Sequence, residues 1–421
     1  MKERLIAGLD LGSAFIRLAV GQVSLGSDKR ESLNMIGAVE VPSQGISKGG
    51  VSSLEDVVSS ISGCLEQMER QIGLPIDEAY IGLGGPFVQV QLAKGVIGVS
   101  RVDGEIRDED VQRVLETTRS VVNPINYEIL HVLPRTFIVD GQVGVKDPIG
   151  MQGIRLEVEA HIVQGLAAPV RNITKAVFRT GLDVTELVFT ALAAAEIVTT
   201  SRQRELGTAV ICMGAATTSL VVYEEGELLH ASVIPIGSDH ITSDIAIGLR
   251  TSLEAAERFK KSFACANAAT VHKSEEIDLR DLGAEQSEIV SARFVSDIAQ
   301  ARVEEIFERV EKELKKIERS GMLPAGVILT GGGVKLRGIA DVAKEMLRLP
   351  VSLGSAANVP TPLIEIVQDP GFSTAIGLVH WGYENERLGR TPTGGRASKN
   401  GGDFMKKFSS PLKKLFKSFI P

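Results

Sequence analysis

Three times along the chain an apolar, β-prone run stops at small residues. The first, RLIAGLDLG at residues 4–12, closes on Asp10 and Gly12, and the alternation Phe15, Ile16, Leu18, Val20 behind it predicts the second strand of a hairpin. The second lies in GTAVICMGAATTSLVVY, residues 207–223, and repeats the order strand, small-residue turn, strand. The third is GVILTGGGVKLRGI, Gly326–Ile339, where Val327, Ile328 and Leu329 read as a strand buried on both faces, followed by three glycines and a helix starting near Lys335. Apolar residues recurring at three and four mark helices elsewhere. Leu54, Val57, Val58, Ile61, Leu65, Met68 and Ile72 form one such face, and Val303, Ile306, Phe307, Val310, Leu314 and Ile317 form another that ends before Gly321. TALAAAEIV (residues 190–198) and ITSDIAIGLRTSLEAAERFKKSF (residues 241–263) also read as helical, and SEEIDLRDLGAEQSE (residues 274–288) as hairpin and loop. Residues 84–162 open with Gly84–Gly85–Pro86 and mix strand alternation with a helix beginning near Arg107, whose acids at 108–110 suit a helix N-terminus. The pattern is that of an α/β chain carrying an inserted α+β module.

Composition adds scale and compartment. With 421 residues, 43% of them hydrophobic, the chain fills two or more domains. The net charge of −7 is unevenly spread: from Arg387 onward nine Lys/Arg face one acidic residue, a local balance of +8 that leaves −15 on the body. An acidic body argues against broad nucleic-acid binding, and a basic end argues for an anionic surface. Cys64, Cys212 and Cys265 are odd in number and match no metal spacing, which points to a reducing cytosol. The apolar run after the N-terminus is cut at Asp10, too early for a signal sequence, and no stretch has the length of a membrane span.

The strand ends carry the candidate chemistry. A carboxylate at Asp10 suits magnesium held through water, Ser13 offers a hydroxyl and amides beside Gly12, and Arg17 suits phosphate charge. Gly331, Gly332 and Gly333 remove the Cβ atoms that keep a ligand off the backbone, and Lys335 stands at the expected helix start. Each loop taken alone also fits a ligand-free turn, and the glycines match neither the Walker A spacing nor GxGxxG with an acidic ribose partner.

Two strand-turn-strand loops, then GVILTGGG, then FSTAIGLV at Phe372–Val379, follow the order of the actin-like ATPases. Within them SQGISKGGVSSLEDVV (Ser43–Val58) and EILHVLPRTFIVDGQVGVKDPIGMQGIRLEVEAHIV (Glu128–Val163) resemble the FtsA family of cell-division proteins, and the likeness runs from about residue 5 to 385 and returns at the C-terminus. It implies a two-lobed fold of ribonuclease-H-like subdomains: 1A from 4–83 and 163–195, the inserted 1C at 84–162, 2A from 196–237 and 301–369, 2B at 238–300, and a return helix at 370–386. It implies ATP and magnesium as cofactors, with Gly214 and Thr217 in the second phosphate loop, Glu257 and Lys260 presented to ribose and adenine, and Glu196 positioning water. Arg302 matches a position near which the family receives the C-terminal peptide of FtsZ. Other expected partners are further copies in a filament, other divisome proteins and anionic lipid, at the cytoplasmic face of the membrane at the septum. One departure stands out. Where the family's second phosphate loop begins with Asp, this chain has Cys212, followed by Met213, Gly214, Ala215, Ala216 and Thr217. A thiol is too soft for magnesium, so hydrolysis should suffer more than binding.

Residues 387–403, rich in Gly, Ser, Thr and Pro, read as a flexible linker to FMKKFSSPLKKLFKSFIP, residues 404–421. Behind Ser410 and Pro411, the residues Leu412, Leu415, Phe416, Phe419 and Ile420 fall at i, i+3, i+4, i+7 and i+8, with Lys413, Lys414 and Lys417 on other faces and Phe404 and Phe408 adding an apolar turn. A short cationic amphipath behind a loose linker reads as an interfacial membrane helix, or alternatively as a segment docking on a partner protein. The competing classes for the whole chain are a kinase or heat-shock-type ATPase of the same superfamily, which Cys212 and the tail weigh against, and the pilus-assembly protein PilM, which the tail disfavours.

Overall fold

The structure is a computed structural model that describes residues 4–25, 31–121, 126–272, 274–283, 287–356, 359, 361 and 363–387. Almost the whole linker and the entire amphipathic segment, with Phe404, Phe408, Leu412 to Lys417, Phe419 and Ile420, lie outside the described residues.

Two five-stranded sheets share one strand order. In the first, Arg4–Leu11, Phe15–Leu25 and Glu31–Pro42 form an antiparallel meander, and Glu78–Leu83 and Asp183–Phe189 add in parallel beyond Arg4–Leu11. In the second, Thr208–Met213, Thr218–Glu224 and Glu227–Ile234 form the meander, and Val327–Thr330 and Val351–Leu353 add in parallel beyond Thr208–Met213. The reason is local. Small residues after each first strand permit a tight antiparallel return, whereas a parallel neighbour demands a long crossover. The amphipathic helices Leu54–Ile72 and Ala167–Arg179 serve the first sheet, and Ala292–Lys316 and Ile339–Leu347 the second. Their apolar faces fill two cores: Val57, Ile61, Met68 and Val177 under the first sheet, and Val303, Phe307, Val310 and Leu314 under the second.

Two helices connect the lobes. Thr190–Val198 leaves the first sheet, and Ser373–Arg387 returns to it, lying against Arg4–Leu11 and crossing Thr190–Val198. The crossing is close: a Cβ on Gly377 would stand 2.0 Å from the Ala193 carbonyl oxygen, and one on Gly8 2.5 Å from that of Ala375. The first core runs on through Leu192 to Val210, Val221 and Ile328 of the second sheet.

Between the second and third parallel elements of the first lobe sits the inserted module. Its four-stranded antiparallel sheet runs in the order Val88–Gly98, Arg155–Leu166, Tyr127–Val139, Gln142–Val145, and the helix Asp108–Val121 packs on it through Val111 and Val114. The expected acidic N-terminus is there, and the Asp110 carboxylate accepts from the Arg107 amide at 3.0 Å. A buried bracket ties the module to the first lobe. His131 accepts from the Phe189 amide at 3.0 Å, and the Glu186 carboxylate accepts from Trp381 Nε1 at 3.3 Å and Asn385 Nδ2 at 3.1 Å. Burial pushes the His131 imidazole down to about 4, so it is neutral near pH 7.

Three readings change. The helical run at 241–263 is two helices, Ser238–Leu249 and Leu253–Ser262, because Arg250 turns left-handed (φ 49°) and Ser252 caps the second by accepting from the Ala255 amide. The helix bearing Arg302 starts at Ala292, since Val295 and Ala299 continue the same buried stripe. After the glycines comes a 3-10 turn at Gly332–Lys335, and the α-helix begins only at Ile339, after Gly338 at φ 74°.

The glycines on these helices have opposite reasons. Gly377→Val should destabilise the protein by about 1–3 kcal/mol through overpacking at the helix crossing. At Gly63 in Leu54–Ile72 an added Cβ meets nothing within 4 Å, so Gly63→Ala should stabilise by about 0.5–1 kcal/mol. Denaturant melts of the two variants test the contrast, and equal shifts would contradict this account of the crossing.

Candidate functional site

The C-terminal ends of the two first strands point at each other across the gap between the lobes. Asp10 is the next-to-last residue of Arg4–Leu11 and Cys212 that of Thr208–Met213, and the two side chains interact electrostatically. Asp10 is 9% exposed, and burial pushes its carboxyl up to about 6 against the opposing pull of Arg17. Burial, and then the Asp10 charge, push the Cys212 thiol up to about 12, although a hydrogen bond with Thr374 and the charge of Arg17 act the other way. Thr374 lies in the first turn of the returning helix, where Ser373 Oγ also meets Thr330 Oγ1 at 2.8 Å. Thr330 is the register neighbour of Cys212, so the start of that helix sits over the strand ends of the second sheet.

Arg17 reaches across from the first hairpin. Its guanidinium lies over the rings of Phe15 (5.3 Å) and Phe372 (5.6 Å), and one Nη pairs with the Glu40 carboxylate. Its Nε is buried without a hydrogen-bond partner. Of the three glycines, two are required by the protein itself. A Cβ on Gly331 (φ 91°) would stand 2.5 Å from the Met213 carbonyl oxygen and one on Gly333 2.6 Å from Met213 Cγ. Gly332 alone presents an open surface, and the nearest atom to its added Cβ is Arg17 Nη2 at 3.7 Å. The expectation that all three clear a path for a ligand therefore narrows to Gly332.

The second loop is built on its own hydrogen bonds. The Gly214 amide donates to the Thr217 carbonyl at 2.8 Å, while the Gly214 and Ala215 carbonyls accept from the Ser238 and Asp239 amides at 2.9 and 2.8 Å. Ser13 accepts from the Gly49 amide at 3.2 Å, and Gly12 is needed because a Cβ there would lie 2.6 Å from the Phe15 carbonyl oxygen. Lys335, rather than opening a helix, is paired with Asp369 at 2.6 Å, which closes the Gly331–Gly333 loop onto the turn before the return helix.

In the second lobe, Glu257 and Lys260 do meet, at 2.6 Å. Lys260 is 8% exposed and also donates to Thr242 Oγ1 at 2.7 Å and the Ser238 carbonyl at 3.2 Å, so all three of its donors are used. Its exposed neighbour Lys261 bridges instead, pairing with Glu257 at 3.3 Å and standing 5.9 Å from the Phe15 ring of the opposite lobe. Thr242 and Lys261 are not legible as site residues in the sequence because nothing in their local pattern marks them, whereas Phe372 and Thr374 lie in FSTAIGLV, a segment legible by its order in the chain but not by the contacts of these two side chains.

The Glu196 carboxylate is held by Arg204 at 2.9 Å, and Arg204 in turn lies 5.1 Å over Tyr223. Tyr223 pairs with Thr208, at the far end of the strand from Cys212 and about 13 Å along it. Glu196, near the C-terminal end of Thr190–Val198, is thus engaged by Arg204 from the helix that follows. Arg302 is fixed by both Asp244 oxygens and by Glu305, two turns along the same helix from Phe294, which is 51% exposed.

Two matching halves, each a meander with parallel additions, closing on facing strand ends and linked by two crossed helices, define an actin-like protein. Solved structures agree with this: the PilM–PilN type IV pilus biogenesis complex aligns with a TM-score of 0.64 at 18% identity, covering 90% of this chain and 98% of that one. MreB5 of Spiroplasma citri bound to AMPPNP aligns with a TM-score of 0.53 at 12% identity, covering 92% of this chain and 100% of that one. At these identities the likeness concerns the fold. Sequence profiles are more specific: that of cell division protein FtsA matches residues 209–377, and that of the SHS2 domain inserted in FtsA matches residues 85–164. Cell division protein FtsA of Pseudomonas aeruginosa is 33% identical over 386 residues, 92% of this chain and 91% of that protein. The chain belongs to the FtsA family of cell division proteins, and the inserted module is its SHS2 domain. Among the described residues no helix is long and apolar enough to cross a membrane.

A thiol held near 12 carries almost no thiolate at pH 8. Cys212 should therefore react with iodoacetamide far more slowly than a cysteine peptide, as peptide mass spectrometry would read. Alkylation at the peptide's rate would contradict the half-buried, Asp10-facing placement.

Proposed function

We propose that this protein binds ATP with magnesium between its lobes, assembles into filaments, and tethers FtsZ to the cytoplasmic face of the membrane at the division septum through its basic C-terminal amphipath. The observation that carries the nucleotide part is the convergence of Asp10, Arg17 and Gly332 from opposite lobes on one gap. The donor set fits the cation. Among the described residues no three His, Cys, Asp or Glu are grouped to hold a metal, which disfavours an all-protein cage and suits magnesium, a cation that takes one or two carboxylates and leaves its other positions to water and phosphate. Asp10 would hold it, and magnesium would supply neutralisation of phosphate charge. Arg17 would orient phosphate by charge and hydrogen bond, Gly214 and Thr217 would shape the second phosphate wall, and Glu257, kept in place by Thr242 and Lys260, would face ribose.

Turnover is expected to be weak. Cys212 stays a neutral thiol and neither holds a hard cation nor orients attacking water. The FtsZ peptide would meet the face where Phe294, Ile298 and Arg302 stand at successive helical turns, with Arg302 held by Asp244 of the helix that also exposes Ile247 (76%). Filament contacts would run through the SHS2 module and the second lobe. Tethering rests on the sequence of residues 404–421. Each lysine near anionic lipid contributes about 1 kcal/mol, so a single tail binds reversibly and a filament gains by joining many.

Two experiments decide these parts. Sedimentation with anionic vesicles should bring down the full chain and leave one ending at residue 403 in solution; equal pelleting would remove the tether. Cys212→Asp should raise ATP turnover several-fold or more if the missing carboxylate limits hydrolysis, and an unchanged rate in a variant that still binds ATP would overturn that explanation.

A further inference from the structure

Arg17 is a confined cation in the gap, and one of its buried donors has no partner in the protein. The rings of Phe15 and Phe372 both lie within 6 Å of the guanidinium carbon, and the side chain is 12% exposed. An added Cβ on Gly371 would come within 3.3 Å of Nη2, so the glycines at 332 and 371 together leave the slot that this side chain occupies. Such confinement fixes the fork of donors in one plane. One Nη donates to Glu40, while the buried Nε donates to nothing in the protein. A buried guanidinium donor without an acceptor in the protein is costly, and an acceptor from outside the chain, such as water or a ligand oxygen, would relieve that cost.

Glu40 owes its position to the hairpin register. Arg17 and Glu40 stand directly opposite each other on Phe15–Leu25 and Glu31–Pro42, so their side chains share a face at cross-strand distance. The Glu40 carboxylate is 32% exposed, more open than the arginine it holds. It is an anion with the charge and oxygen geometry to stand in for part of a phosphate, attached on the solvent side of the same guanidinium.

We propose that Glu40 is an internal counter-ion for Arg17 that competes with the phosphates of a bound nucleotide, so that Glu40 sets the affinity of the site and its demand for phosphate. This deepens the nucleotide proposal above and rests on it. In the absence of phosphate the pair keeps Arg17 neutralised and in line. When phosphate arrives, its oxygens take the unused Nε and the Nη donor that Glu40 holds, and the carboxylate turns outward to water. Nucleotides bringing more phosphate charge to Arg17 displace the carboxylate more completely, and adenosine does not displace it at all.

The test is calorimetric titration of the full chain and of Glu40→Gln with ATP and magnesium, and with adenosine. Glutamine keeps the shape and an acceptor for Arg17 but removes the competing charge. Because a partly exposed ion pair of this kind is worth about 0.5–1 kcal/mol, ATP should bind Glu40→Gln roughly two- to fivefold more tightly, with adenosine unchanged. Equal or weaker ATP binding by Glu40→Gln, at a thermal stability close to that of the unaltered protein, would overturn the exchange and make Glu40 an aligner of Arg17. An equal gain for adenosine would overturn it as well. Glu40→Ala provides a second arm and should also tighten ATP binding; weaker binding by both variants would overturn the exchange in the same way. Absence of ATP binding by every form, the unaltered chain included, would sink the nucleotide proposal and the exchange with it, whereas normal binding by the unaltered chain with no response at residue 40 sinks the exchange alone.

Discussion

Two crossed helices hold the molecule's two sheets in a fixed relation, and the site exists because of that crossing. Gly377 lets the returning helix approach the Ala193 carbonyl to a distance that no side chain permits, and Gly8 lets the same helix lie on the first strand. Two rods in backbone contact have few alternative arrangements, since interiors this dense shift discretely rather than deform. Thr374 is thereby set against Cys212, and Phe372 against Arg17, although the partners in each pair lie more than a hundred residues apart in the chain.

The same helix also reaches the SHS2 module. Its Trp381 and Asn385 donate to the buried Glu186, beside the neutral His131 contributed by the module. An insertion joined only by its two strand ends would be free to swing, and this bracket fixes it to the first lobe. A buried carboxylate is tolerable there because its oxygens have donors. One element therefore touches the gap between the lobes, the inserted module and the start of the C-terminal linker.

Within the gap, electrostatics divides the labour. Asp10 and Cys212 lie close, and both are driven toward their neutral forms by burial. An aspartate in place of Cys212 would add a second carboxylate to this dry junction, which without a cation would be strongly repulsive. The thiol removes that repulsion and with it the means to hold a hard metal from both sides. Under the proposed nucleotide reading such a site would suit binding better than turnover, in keeping with the proposed work of assembly at a surface.

Much of this was legible in the chain itself. Apolar periodicity sets strands and helices wherever a face must be buried, so the three strand-plus-small-residue segments, the helix Leu54–Ile72 and the inserted module followed from residues alone, as did the place of Asp10 and Cys212 near strand ends and of Arg17 early in the returning strand. The cationic amphipath at 404–421 is likewise a property of sequence. Tertiary structure decided what depends on partners distant in the chain: that Gly331 and Gly333 serve Met213 while Gly332 stays open, that Lys260 is saturated and Lys261 faces Phe15, and that Glu196 belongs to Arg204. Local pattern fixes which face of an element turns inward. It carries no information on which donor meets which acceptor there, because that is set by close packing between segments that the chain itself does not place side by side.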